Sequence, residues 1–199
     1  MYRANAFRRW HAGRRCIAMA SAALLALSGS GVVAESLLDL DVSQADGRYV
    51  LRADMTIDAP VAAVRARLTD YANLHALNPA IRRSSVRAAV PPFDARVTTV
   101  IEACVQLLCR TLRRVEDVRE TPRRILAVIV PEQSDFSAGR TEWRLVPQGD
   151  DAVLVEYRAS LVPSFVVPPV VGTALVRQGM ERELRTLLRN LERLAGSAS

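Results

Sequence analysis

The 199-residue sequence contains no lysine, and all 27 of its basic residues are arginine. Such a bias reflects coding composition rather than function. Histidine is nearly as scarce, with only His11 and His75, although it is the side chain on which neutral-pH acid–base catalysis draws first. His75, beside Tyr71 and Asn73, reads as a surface or packing residue. No GxSxG turn, Walker-type loop or dinucleotide fingerprint is present, so the usual catalytic classes have no support. Three cysteines and two histidines form no recognisable ligand spacing, so neither a metal nor another cofactor is expected. No repeat or low-complexity segment is visible.

Long apolar runs are missing too. The longest near the start, residues 17–27, is broken by Ser28-Gly29-Ser30-Gly31, well short of the roughly 20 residues needed to span a bilayer. It follows a basic stretch with Arg8, Arg9, Arg14 and Arg15 and precedes the small residues Val32-Val33-Ala34. This order predicts a signal peptide over 1–34, cut after Ala34, and an exported, periplasmic product that is not an integral membrane protein. Arg14-Arg15-Cys16-Ile17 is a poor twin-arginine match, and Cys16 precedes the apolar run where a lipoprotein cysteine follows it.

Five arginines and none of the 21 acidic residues lie before the cut, leaving 22 basic against 21 acidic side chains and a net charge of +1. The basic isoelectric point therefore belongs largely to the leader, and no nucleic-acid partner is expected. The remaining 165 residues suffice for one domain with a sizeable core.

Along the mature chain, residues 35–47 read as a lead segment. In 48–57, Tyr49, Leu51, Ala53, Met55 and Ile57 alternate with mostly polar residues, which predicts a half-buried strand. Asp58-Ala59-Pro60 then starts a helix, with Asp58 as cap and Pro60 at its first position. Val61, Val64 and Leu68 give it an apolar face. A second short helix over 70–77 ends at Asn78-Pro79. From 81 to about 161 the chain reads as antiparallel strands, punctuated at Pro91-Pro92, near Leu107, at Thr121-Pro122, at Pro131 and at Pro147-Gln148-Gly149-Asp150. The strongest are 125–130 and 153–161, with Val153, Val155, Tyr157, Ala159 and Leu161 on one face and Trp143 and Leu145 on the strand between.

After Pro168-Pro169 the period lengthens to that of a helix, with Thr173, Val176, Met180, Leu184, Leu187, Leu191 and Leu194 in one stripe. Arg177, Glu181, Arg182, Glu183, Arg185 and Arg189 form the opposite, solvated face. The expected class is α+β: a curved antiparallel sheet wrapped around a long C-terminal helix, with two short helices after the first strand, over 48–195, and a disordered tail over 196–199.

This order resembles the helix-grip (SRPBCC) superfamily, which contains START lipid-transfer domains, polyketide cyclase/dehydrase-like proteins and a coenzyme Q-binding group. Three patterns carry the resemblance: Thr56-Ile57-Asp58-Ala59-Pro60-Val61 leading to Val64, the segment from Leu68-Thr69-Asp70-Tyr71 to Leu77-Asn78-Pro79, and the Pro-Pro entry to the last helix. The resemblance implies an apolar pocket between sheet and helix, used by relatives for lipids, quinones or polyketides, but a shared fold does not fix function.

Cys104 and Cys109 allow two readings. In an oxidising compartment an even count favours a disulfide, and a hairpin over 105–108 makes them the closing pair. In one continuous strand they lie about 16 Å apart and remain thiols. The apolar Val105, Leu107 and Leu108 between them, like Phe165-Val166-Val167, read either as pocket rim or membrane-touching tip, or as packing under the helix. Glu102, Arg140, Glu142, Arg144, Glu156 and Arg158 offer polar contacts to a ligand only if they point inward. Glu142, Arg144, Glu156 and Arg158 have outward parity.

The expected function is an exported protein that binds a hydrophobic small molecule and has transient membrane contact at most. Candidate pocket residues are Leu51, Met55, Trp143, Leu145, Tyr157, Phe165, Val176, Met180 and Leu184, which combine inward strand parity with the inward helix stripe. One rival is a cyclase- or dehydratase-type enzyme, which needs an inward titratable group such as Tyr49 or Tyr157. The other is an interaction module with a collapsed interior.

Overall fold

A computed structural model describes residues 37–105, 108–167 and 172–196. The predicted leader (1–34), residues 106–107 between the two cysteines, Pro168-Pro169 and residues 197–199 of the predicted tail lie outside the described residues.

Residues 35–47, to which the sequence reading assigned no element, contribute a strand. β1 (Leu37–Ala45) pairs with β2 (Arg48–Ile57) through the two-residue turn Asp46-Gly47, both with positive φ (50° and 73°). Asp-Gly is a preferred sequence for such a turn because its twist matches that of the strands. Leu40 and Val42 enter the core while Asp39 and Asp41 face water.

From β2 the chain crosses the concave face through helix α1 (Val61–Leu68) and a short 3-10 turn (Leu74–Ala76). Pro60 itself is the N-cap of α1, in extended conformation and without a side-chain cap bond. Asp58 therefore does not cap the helix, because the chain is still extended at Pro60. The second predicted helix shrinks to the 3-10 turn, since Asp70 is engaged by the Asn73 amide 3.0 Å away in a tight preceding turn.

The chain resumes at the far edge with β3 (Ile81–Arg87) and returns through β4 (Ala95–Val105), β5 (Leu108–Thr121), β6 (Arg124–Ile129), β7 (Phe136–Pro147) and β8 (Val153–Pro163). The result is one curved, eight-stranded antiparallel sheet of order β1-β2-β8-β7-β6-β5-β4-β3. The predicted breaks at Pro91-Pro92 and Pro131 fall between strands, those at Thr121-Pro122 and Pro147 to Asp150 begin on the last residue of a strand, and the one near Leu107 lies outside the described residues.

Helix α2 (Thr173–Gly196) buries Leu184, Leu188, Leu191 and Ala195. Gly196, read as the start of the tail, is its last residue. The buried face is wider than the predicted stripe, since Leu188 and Ala195 also join the core, where α2 meets α1 and β1. The Arg67 guanidinium donates to Leu194 O (3.0 Å) and the Asn190 amide to Leu77 O (3.0 Å), fixing the C-terminal half of α2. Met55, Ile57, Leu145, Val155 and Leu191 are at most 2% exposed, each stabilising the fold by roughly 1.5–3 kcal/mol. Among the described residues no helix is long and apolar enough to cross a membrane.

Candidate functional site

The concave face of the sheet does not meet α2 along its whole length. Toward the N-terminal half of α2 a cavity of about 620 Å³ opens between them, so the interior is not collapsed. Its floor follows the strand register in rows. One row joins Leu51 to Ala159 and Thr141, then Ala127 and Val118 on β6 and β5. The next joins Ala53, Tyr157, Trp143 and Ile125. The row beyond, Met55–Val155–Leu145, is closed core.

This row structure sorts the nine candidates. Leu51, Trp143 and Tyr157 line the cavity from the sheet, Val176, Met180 and Leu184 from α2, and Phe165 from the segment before it. Met55 and Leu145 do not line it, being 0% and 1% exposed in the closed row. Strand parity fixes the face on which a side chain lies but not its level along the strand, which is why these two were grouped with the others.

Tyr49, which the enzyme reading needs inward, faces the cavity. Several other wall residues were not foreseen: Tyr71, Arg110, Arg114, Glu116 and Thr141 all face it too. The charged run 113–117 looks solvated, yet Leu112 and Val118 are inward on β5, and the same parity carries Arg114 and Glu116 inward with them. Arg114 Nε lies 3.0 Å from Glu116 Oε2, and Glu116 is 5% exposed.

Of the charged strand residues weighed as pocket contacts, Glu102 reaches the wall, paired there with Arg82. The others form a ladder on the outer face. Glu142 takes Arg124 at 2.7 Å and Arg140 at 3.4 Å, Glu156 takes Arg144 at 3.1 Å, and Asp54 takes Arg158 at 2.6 Å. Glu183, read as solvated, lines the cavity from α2. His75 is exposed.

Two phenols are held protonated. Burial pushes the Tyr157 hydroxyl up, with the Arg114 cation opposing and the Glu116 carboxylate adding to the shift. Burial and the Glu120 carboxylate push Tyr71 far above its ordinary value. Tyr71 donates to Glu120 Oε1 (2.8 Å), whose other oxygen accepts from Arg65 (2.5 Å). Near neutral pH both tyrosines can donate a hydrogen bond, and neither is a base.

The exposed lining residues Cys109, Arg110 and Val166 cluster where the β4–β5 hairpin meets the start of α2, so the cavity opens there. A Cys104–Cys109 disulfide ties the two strands in direct register, the hairpin alternative of the sequence reading. Glu102 carries a carboxylate near both sulfurs, but bridged cysteines offer no thiolate ligand. Arg182 donates to Cys104 O (3.1 Å) from α2. The Arg110 guanidinium lies 4.2 Å from the Phe165 ring centroid, and Phe136 meets Phe165 edge-on at 6.4 Å. Phe165 is thus packed into the wall, while Val166 is 86% exposed. The side chains of Val105, Leu107 and Leu108 lie outside the described residues.

The fold is shared with solved proteins of low sequence identity. A START superfamily protein from Mycobacterium smegmatis is 17% identical with a TM-score of 0.59, covering 75% of this chain and 99% of its own. The Zhui aromatase/cyclase from Streptomyces sp. R1128 is 15% identical with a TM-score of 0.58, covering 75% and 94%. A STAR-related lipid transfer protein from Xanthomonas axonopodis is 16% identical with a TM-score of 0.56, covering 76% and 98%. A search of curated proteins returns no match. At these identities the likeness carries the fold alone. The sequence itself, over residues 49–196, matches the family described as polyketide cyclase / dehydrase and lipid transport, and to that family the chain belongs.

Proposed function

We propose that the mature chain is an exported binding protein that holds a hydrophobic small molecule, of lipid, quinone or polyketide type, in the cavity under α2. The observation that carries this reading is the cavity itself. Its volume of about 620 Å³ is that of ordinary small-molecule sites, and its wall is built largely from apolar side chains. Leu51, Trp143, Tyr157, Phe165, Val176, Met180 and Leu184 are the ligand contacts in this reading. Related folds described as a lipid transfer protein and an aromatase/cyclase support the ligand class. Export rests on the basic–apolar–small order of residues 1–34.

Native mass spectrometry of protein purified gently from its own compartment tests both parts. The expected result is a mature chain beginning at Glu35 with a stoichiometric apolar molecule bound. A reproducibly empty protein, with no uptake of added lipid or quinone, would refute the binding reading.

A cyclase- or dehydratase-type enzyme is the second reading, favoured by the titratable Tyr49 and Tyr157 in the wall. Tyr157, kept protonated, would donate a hydrogen bond to the carbonyl of a bound β-hydroxyketone, while the Glu116 carboxylate takes the proton of the carbon between carbonyl and hydroxyl and returns it to the hydroxyl, which leaves as water. Loss of water from a β-hydroxyketone substrate, abolished by Tyr157→Phe, is its signature.

A further inference from the structure

Three buried side-chain nitrogen or oxygen atoms lack a hydrogen-bond partner among the described residues: Arg114 Nε, Glu116 Oε1 and Thr141 Oγ1. All three residues line the cavity under α2. Glu116 and Thr141 are 5% and 4% exposed. The Arg114–Glu116 ion pair leaves these atoms unsatisfied, because Nε lies 3.0 Å from Oε2 without hydrogen-bond geometry and Oε1 accepts nothing. Unmade hydrogen bonds at buried groups are costly, so an apolar interior retains such groups only where something completes them.

We infer that Arg114, Glu116 and Thr141 form a polar subsite for a neutral hydroxyl, so that the ligand is an apolar alcohol or phenol rather than a hydrocarbon or a free acid. This inference rests on the binding reading above. Charge selects among ligands. Arg114 and Glu116 neutralise each other, so a ligand carboxylate meets the Glu116 carboxylate and an ammonium meets the Arg114 guanidinium, each without net compensation. A hydroxyl has both capacities the subsite needs. It donates to Glu116 Oε1 and accepts from Arg114 Nε–H or the Thr141 hydroxyl. A ligand that displaces water from these atoms must reproduce the water's hydrogen bonds, and a methyl group cannot. Tyr157 lies close enough for both charges to act on its phenol, and the Trp143 ring packs against Tyr157 at a tilt. The hydroxyl is therefore held beside an aromatic wall.

Three fluorescent probes of one skeleton test the subsite: 9-anthracenemethanol, 9-methylanthracene and anthracene-9-carboxylate, titrated into the purified mature protein. Hydrogen bonds to charged groups predict roughly tenfold tighter binding of the alcohol than of the methyl probe, with the carboxylate weakest. Glu116→Gln keeps the shape but leaves Arg114 uncompensated. It should reduce the alcohol's preference and make the carboxylate the tightest probe. Thr141→Val, nearly isosteric, should reduce the preference without this inversion and serves if Glu116→Gln fails to fold. Equal binding of alcohol and methyl probes, unchanged in both variants, overturns the subsite and leaves the binding reading standing. Failure of all three probes to bind overturns both.

Discussion

Trp143 and Tyr157 face each other across the β7–β8 ladder, their ring centroids 4.4 Å apart and their planes tilted by 50°. Both line the cavity, and the only other tryptophan of the sequence is Trp10, in the predicted leader. Intrinsic tryptophan fluorescence of the mature protein thus reports a single place, the cavity floor. Titration with an apolar ligand should give a saturable change in emission. Trp143→Phe should abolish the tryptophan signal while calorimetry still detects binding. Calorimetric binding to the native protein with unchanged emission would place the ligand away from this wall.

Met180 projects from α2 into the same space, two residues before Arg182, which donates to Cys104 O at 3.1 Å and ties this turn of the helix to β4. Met180→Arg should abolish ligand uptake, because a guanidinium in an apolar wall must recruit water or reach for Glu183. Met180→Trp should do so by filling the volume. Both variants should keep the native circular dichroism spectrum, and full uptake by a folded variant would remove Met180 from the site.

The Cys104–Cys109 bridge closes a loop so small that the chain-entropy model gives about 2 kcal/mol of stabilisation. A Cys104→Ser, Cys109→Ser double variant should lose that amount and melt roughly 4–8 °C lower. Reductant should lower the melting temperature of the native protein similarly and leave the variant unaffected. Insensitivity of the native protein would mean that the cysteines are thiols in solution.

The sheet and its breaks were legible because parity and proline act locally. Tyr49 to Ile57 and Val153 to Ala159 alternate with only Val50 and Leu154 out of step, and the buried residues follow that alternation. β1 escaped notice although Leu40 and Val42 alternate with aspartates and Asp46-Gly47 carries a hairpin signal, because it directly follows the predicted leader. Met55 and Leu145 were misplaced for another reason. The level at which a sheet closes against a helix depends on where Leu188, Leu191 and Ala195 dock, a tertiary property. Arg114 and Glu116 were hidden because charge within a strand ordinarily means solvent, and only their register with Leu112 and Val118 reveals the inward side.

On the outer face, Glu142 accepts a hydrogen bond from Arg124 Nη2 at 2.9 Å, and Arg124 Nε lies 2.7 Å from its other oxygen as an ion pair. The Arg124 hydrogen bond holds its carboxyl below the ordinary value, ahead of its charge and the weaker contribution of Arg140. A depressed folded-state value stabilises the protein above the unfolded carboxylate pKa of about 4.3, and the benefit is lost as pH falls through the folded value. Glu142→Gln should therefore melt lower than the native protein at neutral pH, and the difference should vanish at strongly acidic pH. A difference that persists undiminished in acid would mean that shape, not charge, explains the loss.

Gly139 has no unusual backbone angle, yet any side chain there meets an occupied volume. A Cβ would approach Ile129 Cγ1 to 2.6 Å, Leu161 Cδ2 to 2.8 Å and Ser160 O to 3.1 Å. Ile129 is β-branched and stiff on its strand, and Ser160 O belongs to the backbone of β8, so neither yields cheaply. Leu161 can rotate, but it lines the cavity, and its displacement would carry the strain into the ligand's space. Gly139→Ala should cost about 1–3 kcal/mol in stability, the usual range for overpacking. It should also weaken binding of large ligands more than small ones. Denaturant melts read the first effect and a ligand size series reads the second. Equal weakening across the series would mean that Leu161 moves away from the cavity.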